Sequence, residues 1–226
     1  MKILCTQAFE GVFHAILPQL PGDSVLFGTT GGLVRRVEAG EAADLLLAAR
    51  PALDDLARRG LVEAGSVTGI AGTDVGIGIR QGEGDIDLST AEALKTLLLA
   101  AGPIAYPDPA DGGASGVHFA AVLERLGIAE EVNRRAILVK AGGGAGEYLI
   151  TGQAALAVQM ISELLLVEGV VIAGTLPGGF AKTISFAAAV VKGAAHGGEA
   201  LDVIAALKTP AAGEIMRKAG LDQVSF

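Results

Sequence analysis

Cysteine, aromatic residues and long apolar runs are all scarce in this 226-residue sequence, and each scarcity excludes a class of protein or site. The single cysteine, Cys5, rules out an intrachain disulfide and a cysteine-rich zinc site. Aromatic residues make up 4% of the chain, the net charge is −8 and no basic cluster is present, which argues against nucleic acid as a ligand. No apolar run approaches the roughly 18 residues that span a bilayer. We therefore expect a protein without membrane insertion.

The common motifs of cofactor and metal sites are also missing. No G-x-G-x-x-G pattern follows the first predicted strand, no glycine loop ends in Gly-Lys-Ser/Thr, and no G-x-S-x-G pattern occurs. His14, His118 and His196 have neither the mutual spacing of metal ligands nor nearby cysteines. We therefore expect no cofactor and no metal.

No signal peptide is visible at the start of the sequence. Met1 leads directly into a strand predicted over Lys2–Thr6, without a charged segment, a long apolar segment or a small-residue cleavage site. We expect a cytoplasmic protein if the sequence is complete, and a periplasmic protein if a leader has been removed. Both alternatives stay open at this point.

What the chain does contain is an alternation of strands and helices. Strands are predicted at Lys2–Thr6, Ser24–Phe27 and Ala43–Leu47, and helices at Phe9–Gln19 and Pro51–Arg59. This alternation is typical of α/β folds with parallel strands, which bind ligands beyond the carboxyl ends of those strands.

The strand-loop-helix unit Ile104–Gly127 has the features of an anion site. A strand is predicted over Ile104–Tyr106, Ser115 is predicted as the N-cap, and the helix is predicted to start at Gly116 and to end at Gly127. The first amides of such a helix lack intrahelical partners and lie at the positive end of its macrodipole. The alternative is a plain crossover with a capped helix, and a second site of the same kind would favour the anion site.

Two other glycine-rich loops precede predicted helices. Gly28–Gly32 leads into a helix that Gly40 ends, and Gly142–Gly144 precedes a helix over Ala145–Ile150. Three such loops in one chain favour a small oxyanion or carboxylate as the ligand.

Two long apolar stretches, Val67–Ile79 and Thr183–Val191, are predicted as strands that cross between two lobes. On this interpretation residues 1–75 plus 184–226 form the first lobe, and residues 76–183 form the second.

Several motifs occur in the order expected for one known fold. They are Thr6 after the first strand, FGTTGGLVRRVEAGEAADLLLAA at Phe27–Ala49, DPADGGASGVHFAAVLERLGI at Asp108–Ile128 and TGQAALAVQMISELL at Thr151–Leu165. With these motifs the chain resembles the type II periplasmic-binding-protein fold, and within it the molybdate-binding-protein-like branch, over almost its whole length. The resemblance implies a two-lobed α/β fold. Each lobe is then a mostly parallel sheet flanked by helices, two hinge strands cross between the lobes, and a small anion binds in the cleft between them.

The resemblance also implies which groups hold the anion. By position, the donors are the Thr6 hydroxyl, either Thr29 or Thr30 together with the Gly31 N–H, Ser115 with the Gly116 N–H, and the N–H groups near Gly144, Ala145 and Gly146. Where the molybdate binders tend to have a tyrosine, this chain has Gln159-Met160, and strand alternation lets only one of the two face the ligand. This departure disfavours molybdate and favours an organic di- or tricarboxylate.

Other side chains near these loops have both a functional and a structural interpretation. Tyr106 is either a wall of the ligand site or a rim residue, and His118 either carries a proton or is a partly exposed helix residue. Glu163 is either a general base or a support for the fold. Arg35 and Arg36 are either solvated and paired, or one of them clamps a carboxylate.

Two functions from different classes follow. The first is a solute-binding protein of an ABC transporter, expected to be a monomer, with a small anion as ligand and a transporter permease as partner. The second is an isomerase of an unsaturated tricarboxylate, since aconitate isomerase is similar to this branch. His118 and Glu163 are then the candidates that move the proton of an allylic shift.

Overall fold

A computed structural model of the chain describes residues 1–16 and 24–223. The predicted helix Phe9–Gln19 therefore lies partly outside the described residues. Contacts between Cα atoms divide the chain into two units, which we call unit 1 (Met1–Thr73 with Ser185–Phe226) and unit 2 (Asp74–Ile184).

Strands and helices alternate along the described chain. The strands are β1 (Lys2–Thr6), β2 (Ser24–Gly28), β3 (Leu45–Ala49), β4 (Thr68–Arg80), β5 (Ile104–Pro107), β6 (Ile137–Val139), β7 (Leu156–Met160), β8 (Val170–Thr175), β9 (Thr183–Val190) and β10 (Asp222–Gln223). The helices are α1 (Glu10–Ile16), α2 (Thr30–Glu38), α3 (Arg50–Arg58), α4 (Ala91–Ala100), α5 (Ala114–Leu126), α6 (Ala129–Asn133), α7 (Ala145–Ile150), α8 (Ile161–Leu164), α9 (Gly197–Leu207) and α10 (Pro210–Lys218). Among the described helices, none combines the length and the apolar content that a bilayer crossing requires.

The sheet of unit 1 is mixed. β1 lies between β2 and β3 and is parallel to both, whereas β9 pairs antiparallel with β3 and β10 pairs antiparallel with β4. The continuous apolar run of β1 is fully buried, as expected for a strand covered on both faces. Helices α2 and α3 contribute Leu33, Leu53 and Leu56 to the same core.

The predicted strand Ala43–Leu47 begins two residues later than expected, at Leu45. Asp44 precedes it as a buried carboxylate that accepts hydrogen bonds from the backbone N–H groups of Lys2 at 2.7 Å and of His196 at 2.9 Å. The backbone of Asp44 still pairs with its neighbours, since its N–H donates to the Lys2 carbonyl at 2.9 Å and its carbonyl accepts the Val191 N–H at 3.0 Å.

The sheet of unit 2 is also mixed. β5 lies between β6 and β7 and is parallel to both, and β4 pairs antiparallel with β7 and β8. Glycine is required within β4, because a Cβ on Gly76 would lie 2.8 Å from Cγ1 of Ile161. The core here includes Ala105, Val139 and Leu164.

Helix α5 begins two residues earlier than the sequence predicted. It starts at Ala114, and Gly113 rather than Ser115 is its N-cap. The chain turns at Gly112, whose φ is 74°, directly after a 3₁₀ turn at Pro109–Asp111. This early turn sets the start of the helix and leaves Ser115 inside its first turn.

Candidate anion-binding site

In unit 1, the carboxyl ends of three parallel strands lie at one edge of the sheet. β1 ends at Thr6, which is in register with Gly28 at the end of β2, and β3 ends at Ala49. Helices α2 and α3 start directly after β2 and β3. The strand ends therefore bring Thr6 and the start of α2 to the same edge.

The start of α2 presents hydroxyl and N–H groups. The Thr29 hydroxyl caps the helix by accepting the Gly32 N–H at 3.2 Å, and the Thr30 hydroxyl accepts the Ala49 N–H at 3.1 Å. A hydroxyl that accepts one bond still has its own hydrogen to donate. Within residues 1–16 and 24–223, the N–H groups of Thr30 and Gly31 have no acceptor. This end of the helix thus offers a set of donors at the positive end of its dipole.

Thr6 adds a hydroxyl to this edge. The residue is 3% exposed, and its hydroxyl makes no hydrogen bond within the described part of the chain. Its hydrogen is therefore available to donate to a ligand or to water. The placement of Thr6, Thr29, Thr30 and Gly31 at one edge agrees with their predicted role, which remains a prediction.

Unit 2 repeats the arrangement at the carboxyl ends of β5, β6 and β7. These strands are parallel, and α5, α7 and α8 follow them along the chain. The predicted groups Ser115, Gly116, Gly144 and Ala145 all belong to the helix starts after these strands.

At the start of α5, Gly116 has a packing role that sequence reasoning missed. A Cβ at this position would lie 2.2 Å from the carbonyl oxygen of Pro107, so only glycine allows the helix to pack against the end of β5. Ser115 is 1% exposed, and the N–H groups of Ala114, Ser115 and Gly116 have no acceptor among the residues that the structure describes. The tight packing therefore places free N–H groups beside the strand end.

Gln159 connects the start of α7 to α8. Its Oε1 accepts the Ala145 N–H at 2.7 Å, and its Nε2 donates to Oε2 of Glu163 at 2.5 Å. Since a backbone N–H must meet the carboxamide oxygen, the orientation of the amide is fixed. We therefore remove the Ala145 N–H from the ligand donors, because Gln159 uses it. Gly144, the N-cap of α7, keeps its N–H without an acceptor in the described residues.

This connection also places Glu163. Its side chain is mostly buried, and the residue is 8% exposed. Because the Gln159 amide can only donate to it, Oε2 of Glu163 must keep a lone pair toward that amide. The four-residue spacing of Gln159 and Glu163 is a pattern from which their hydrogen bond could have been predicted. The hydrogen bond between Gln159 and the Ala145 N–H joins residues 14 positions apart, and no local pattern indicates it.

Two charged contacts join the loops that follow β5 and β6. The Asp108 carboxylate accepts from Lys140 Nζ at 2.7 Å and from the Ala110 N–H at 2.9 Å, and Asp111 accepts from the Ala141 N–H at 3.0 Å. The hydrogen bond from Lys140, followed by that from Ala110, lowers the pKa of Asp108. Sequence analysis did not single out these residues, although acidic residues in turns commonly bind backbone N–H groups.

Tyr106 lies in the core of unit 2. It is 2% exposed, its hydroxyl donates to Oδ1 of Asn133 at 2.7 Å, and its ring makes an edge contact with Phe119 at 5.0 Å between centroids. Burial and then the nearby Asp108 raise the pKa of its hydroxyl. These contacts favour a structural role, and a wall of the ligand site remains a prediction for Tyr106.

His118 joins α5 to the segment Gly178–Phe180. Its Nε2 lies 2.8 Å from the carbonyl oxygen of Phe180, and because a carbonyl can only accept, Nε2 carries the hydrogen. Seven residues later, Arg125 donates to the Gly179 carbonyl at 3.1 Å and lies 4.4 Å from the centre of the Phe180 ring. His118 thus has a structural contact, and only Nδ1 remains for a ligand.

Within the described residues, no three His, Cys, Asp or Glu side chains are grouped so that they could hold a metal ion.

Comparison with known proteins identifies relatives over most of the chain. The model of the family described as bacterial extracellular solute-binding protein matches residues 24–222. Aconitate isomerase from a Pseudomonas species is 28% identical over 197 residues, which cover 87% of this chain and 73% of that protein.

Solved structures of two anion-binding proteins are similar in fold. The molybdate-binding protein of Azotobacter vinelandii matches with a TM-score of 0.78 and 19% identity, over 100% of this chain and 99% of its own. The sulfate-binding protein of Mycobacterium tuberculosis matches with a TM-score of 0.71 and 19% identity, over 100% of this chain and 87% of its own. At these identities the similarity shows the fold alone, and it confirms the fold class predicted from the sequence.

Proposed function

Because this chain belongs to the bacterial extracellular solute-binding protein family, we propose that it binds a small organic anion with more than one carboxylate. The observation that carries this proposal is the set of free N–H and hydroxyl groups at helix starts, found in unit 1 at Thr6, Thr30 and Gly31 and in unit 2 at Ser115 and Gly116. An ABC transporter permease is the partner that this role implies.

The physical basis is the helix start. Unpaired N–H groups at the positive end of a helix stabilise an anion at contact distance without a full positive charge. The net charge of −8 weakens attraction at long range, but aligned amides and hydroxyls determine binding at contact. An acidic protein can therefore hold a small anion.

Two observations favour carboxylates over inorganic oxyanions. Gln159 occupies the Ala145 N–H, which leaves unit 2 with fewer donors for a compact tetrahedral ion. In addition, the relative at 28% identity is an aconitate isomerase, whose name specifies a tricarboxylate.

A thermal-shift screen tests the proposal. Molybdate, sulfate and phosphate are compared with citrate, tricarballylate and both aconitate isomers. A ligand that binds only the folded protein adds roughly 2.7 kcal/mol to the free energy of unfolding at about 100 times its Kd. We expect stabilisation by a polycarboxylate. If none of these seven compounds raises Tm, the proposal is contradicted.

A matched pair of variants ties binding to the predicted groups. Thr6→Val removes one hydroxyl at nearly constant shape, and Thr96→Val makes the same change on the exposed surface of α4. We expect Thr6→Val to weaken binding by roughly 5- to 30-fold, corresponding to about 1–2 kcal/mol for one hydrogen bond to a charged ligand. Thr96→Val should bind as the unaltered protein does, and equal affinities of the two variants would remove Thr6 from the site.

A second function, isomerisation of an unsaturated tricarboxylate, is favoured by Glu163. This largely buried carboxylate is fixed by Gln159 at the same edge as the anion donors of unit 2. A carboxylate disfavours an anionic ligand by charge repulsion, so its presence there fits a proton acceptor better than a binding group. In the proposed step Glu163 takes a proton from the methylene carbon of aconitate, the electron pair shifts along the allylic system, and the proton returns at the former vinyl carbon. His118 is the less favoured carrier because its Nε2 is bonded to Phe180.

Proton NMR in D₂O distinguishes the two functions. If the chain is an isomerase, cis- and trans-aconitate interconvert with deuterium incorporation. Glu163→Gln should then lose interconversion and keep binding, whereas Glu168→Gln, an exposed neighbour, should keep both. Binding without interconversion supports the receptor function alone, and full activity of Glu163→Gln would exclude Glu163 as the proton acceptor.

A further inference from the structure

The guanidinium of Arg35 lies over the first turn of α2. A Cβ built on Gly31 would lie 3.6 Å from Nη1 of Arg35, and one on Gly32 would lie 4.0 Å from its Nη2. The backbone of Arg35 belongs to the last turn of the helix, but long helical side chains point toward the N-terminus. The charge of Arg35 is thus placed beside the start of the helix.

This position is unfavourable for a cation without a counter-ion. Helix starts carry positive partial charge, and within the described residues Arg35 makes neither an ion pair nor a hydrogen bond. Its neighbour Arg36, by contrast, pairs with Glu41 at 2.8 Å. An anionic ligand would remove the repulsion between Arg35 and the helix start.

An independent observation at the same edge also points to a ligand. Thr6 is 97% buried, since only 3% of it is exposed, and its hydroxyl has no partner within the described chain. It is in register with Gly28, one residue before the cap Thr29. The Thr6 hydroxyl, at the end of β1, and the Arg35 guanidinium, beside Gly31, thus belong to the same strand edge as the free N–H of Gly31.

We propose that Arg35 binds one carboxylate of the ligand and makes the unit 1 site selective for carboxylates over tetrahedral oxyanions. The inference rests on the proposed anion-binding function. The planar guanidinium donates two parallel hydrogen bonds that match the two oxygens of a carboxylate. Gly31 and Thr6 complete the coordination from the backbone and from β1.

Calorimetric titration of trans-aconitate and of sulfate into three variants tests the inference. Arg35→Ala should weaken trans-aconitate binding by roughly 10- to 100-fold, as expected for the loss of a charge-assisted pair. Arg35→Lys should bind trans-aconitate more tightly than Arg35→Ala but more weakly than the unaltered protein. The lysine ammonium keeps the positive charge but lacks the planar pair of N–H donors that a guanidinium offers to a carboxylate. Arg36→Ala is the matched control on the same helix and should bind as the unaltered protein does.

The possible outcomes distinguish a failure of this inference from a failure of the proposed anion-binding function. No binding of either anion by the unaltered protein would overturn the proposed function and the inference together. Binding that Arg35→Ala and Arg36→Ala leave equal would overturn the inference alone. An equal loss of sulfate and trans-aconitate affinity in Arg35→Ala would overturn the proposed selectivity. Urea unfolding midpoints of the variants, which should match because both side chains are exposed, exclude a folding defect as the cause.

Discussion

Replacing Gly116 by alanine is the most direct test of how unit 2 builds its anion site. The new Cβ would lie 2.2 Å from the Pro107 carbonyl oxygen and 2.9 Å from its carbonyl carbon. Carbon and oxygen atoms in contact are normally about 3.3 Å apart or more, so α5 and the end of β5 must separate by roughly 1 Å. The obstacle is backbone, which cannot change rotamer to make room.

The expected magnitude follows from two opposing effects. Overpacking costs about 1–3 kcal/mol, whereas alanine gains up to about 1 kcal/mol over glycine in a helix. We expect a net loss of about 1–2 kcal/mol in the free energy of unfolding. The free N–H groups of Ala114 and Ser115 move with the helix, so anion affinity should fall as well.

Gly198→Ala is the matched control. Gly198 also lies in the first turn of a helix, α9, and a Cβ there would have no atom within 4 Å. This variant should be stabilised by up to about 1 kcal/mol. Urea unfolding followed by far-UV circular dichroism measures both midpoints. A Gly116→Ala protein as stable as Gly198→Ala would refute the packing role of Gly116.

Two further predictions concern buried polar groups. Tyr106→Phe should lower the free energy of unfolding by only about 0.5–1.5 kcal/mol, because Asn133 is exposed and water can replace the lost hydroxyl, and it should leave anion affinity unchanged in calorimetry; a loss of affinity would support the predicted place of Tyr106 in the site. For Asp44, burial raises the carboxyl pKa, but hydrogen bonds from the N–H groups of Lys2 and His196 outweigh it, and the net pKa is lowered. Its stabilisation is therefore present above the ordinary pKa of aspartate and is lost as the pH falls through the lower folded-state pKa. Urea midpoints from pH 7 to pH 3 should show the gap between the unaltered protein and Asp44→Asn shrinking with acidification; a constant gap would contradict this linkage.

Sequence periodicity predicted most strands and helices because buried strands and amphipathic helices leave local patterns. The bounds of β1 were predicted at both ends, and Thr29 and Thr30 were predicted at a helix start. Local chemistry failed where two rules competed. Ser115 is a better N-cap residue than Gly113, but the turn at Gly112 had already set the start of α5.

The parts of the site that were not predicted depend on contacts distant in sequence. Tyr106 was placed near the ligand because it ends a strand, yet its hydroxyl partner Asn133 is 27 residues away. The bond between Gln159 and the Ala145 N–H likewise joins two elements with no shared pattern. Hydrogen bonds between residues so far apart in sequence can be assigned only once the packing of the strands and helices is known.

The discontinuity of unit 1 along the chain has a consequence for synthesis. Unit 2 is one continuous segment, Asp74–Ile184, whereas unit 1 needs residues from both sides of it. The outer edge of β3 gains its backbone partners only when β9 is made, since Ala49 pairs with Phe186, 137 residues later. At about 5–20 residues per second, a ribosome takes roughly 7–27 s to cover that distance. Throughout that interval β3 has an open, apolar edge, which is prone to aggregation. The strands made first therefore need protection for the longest time, whereas unit 2, made later as one continuous segment, can already fold.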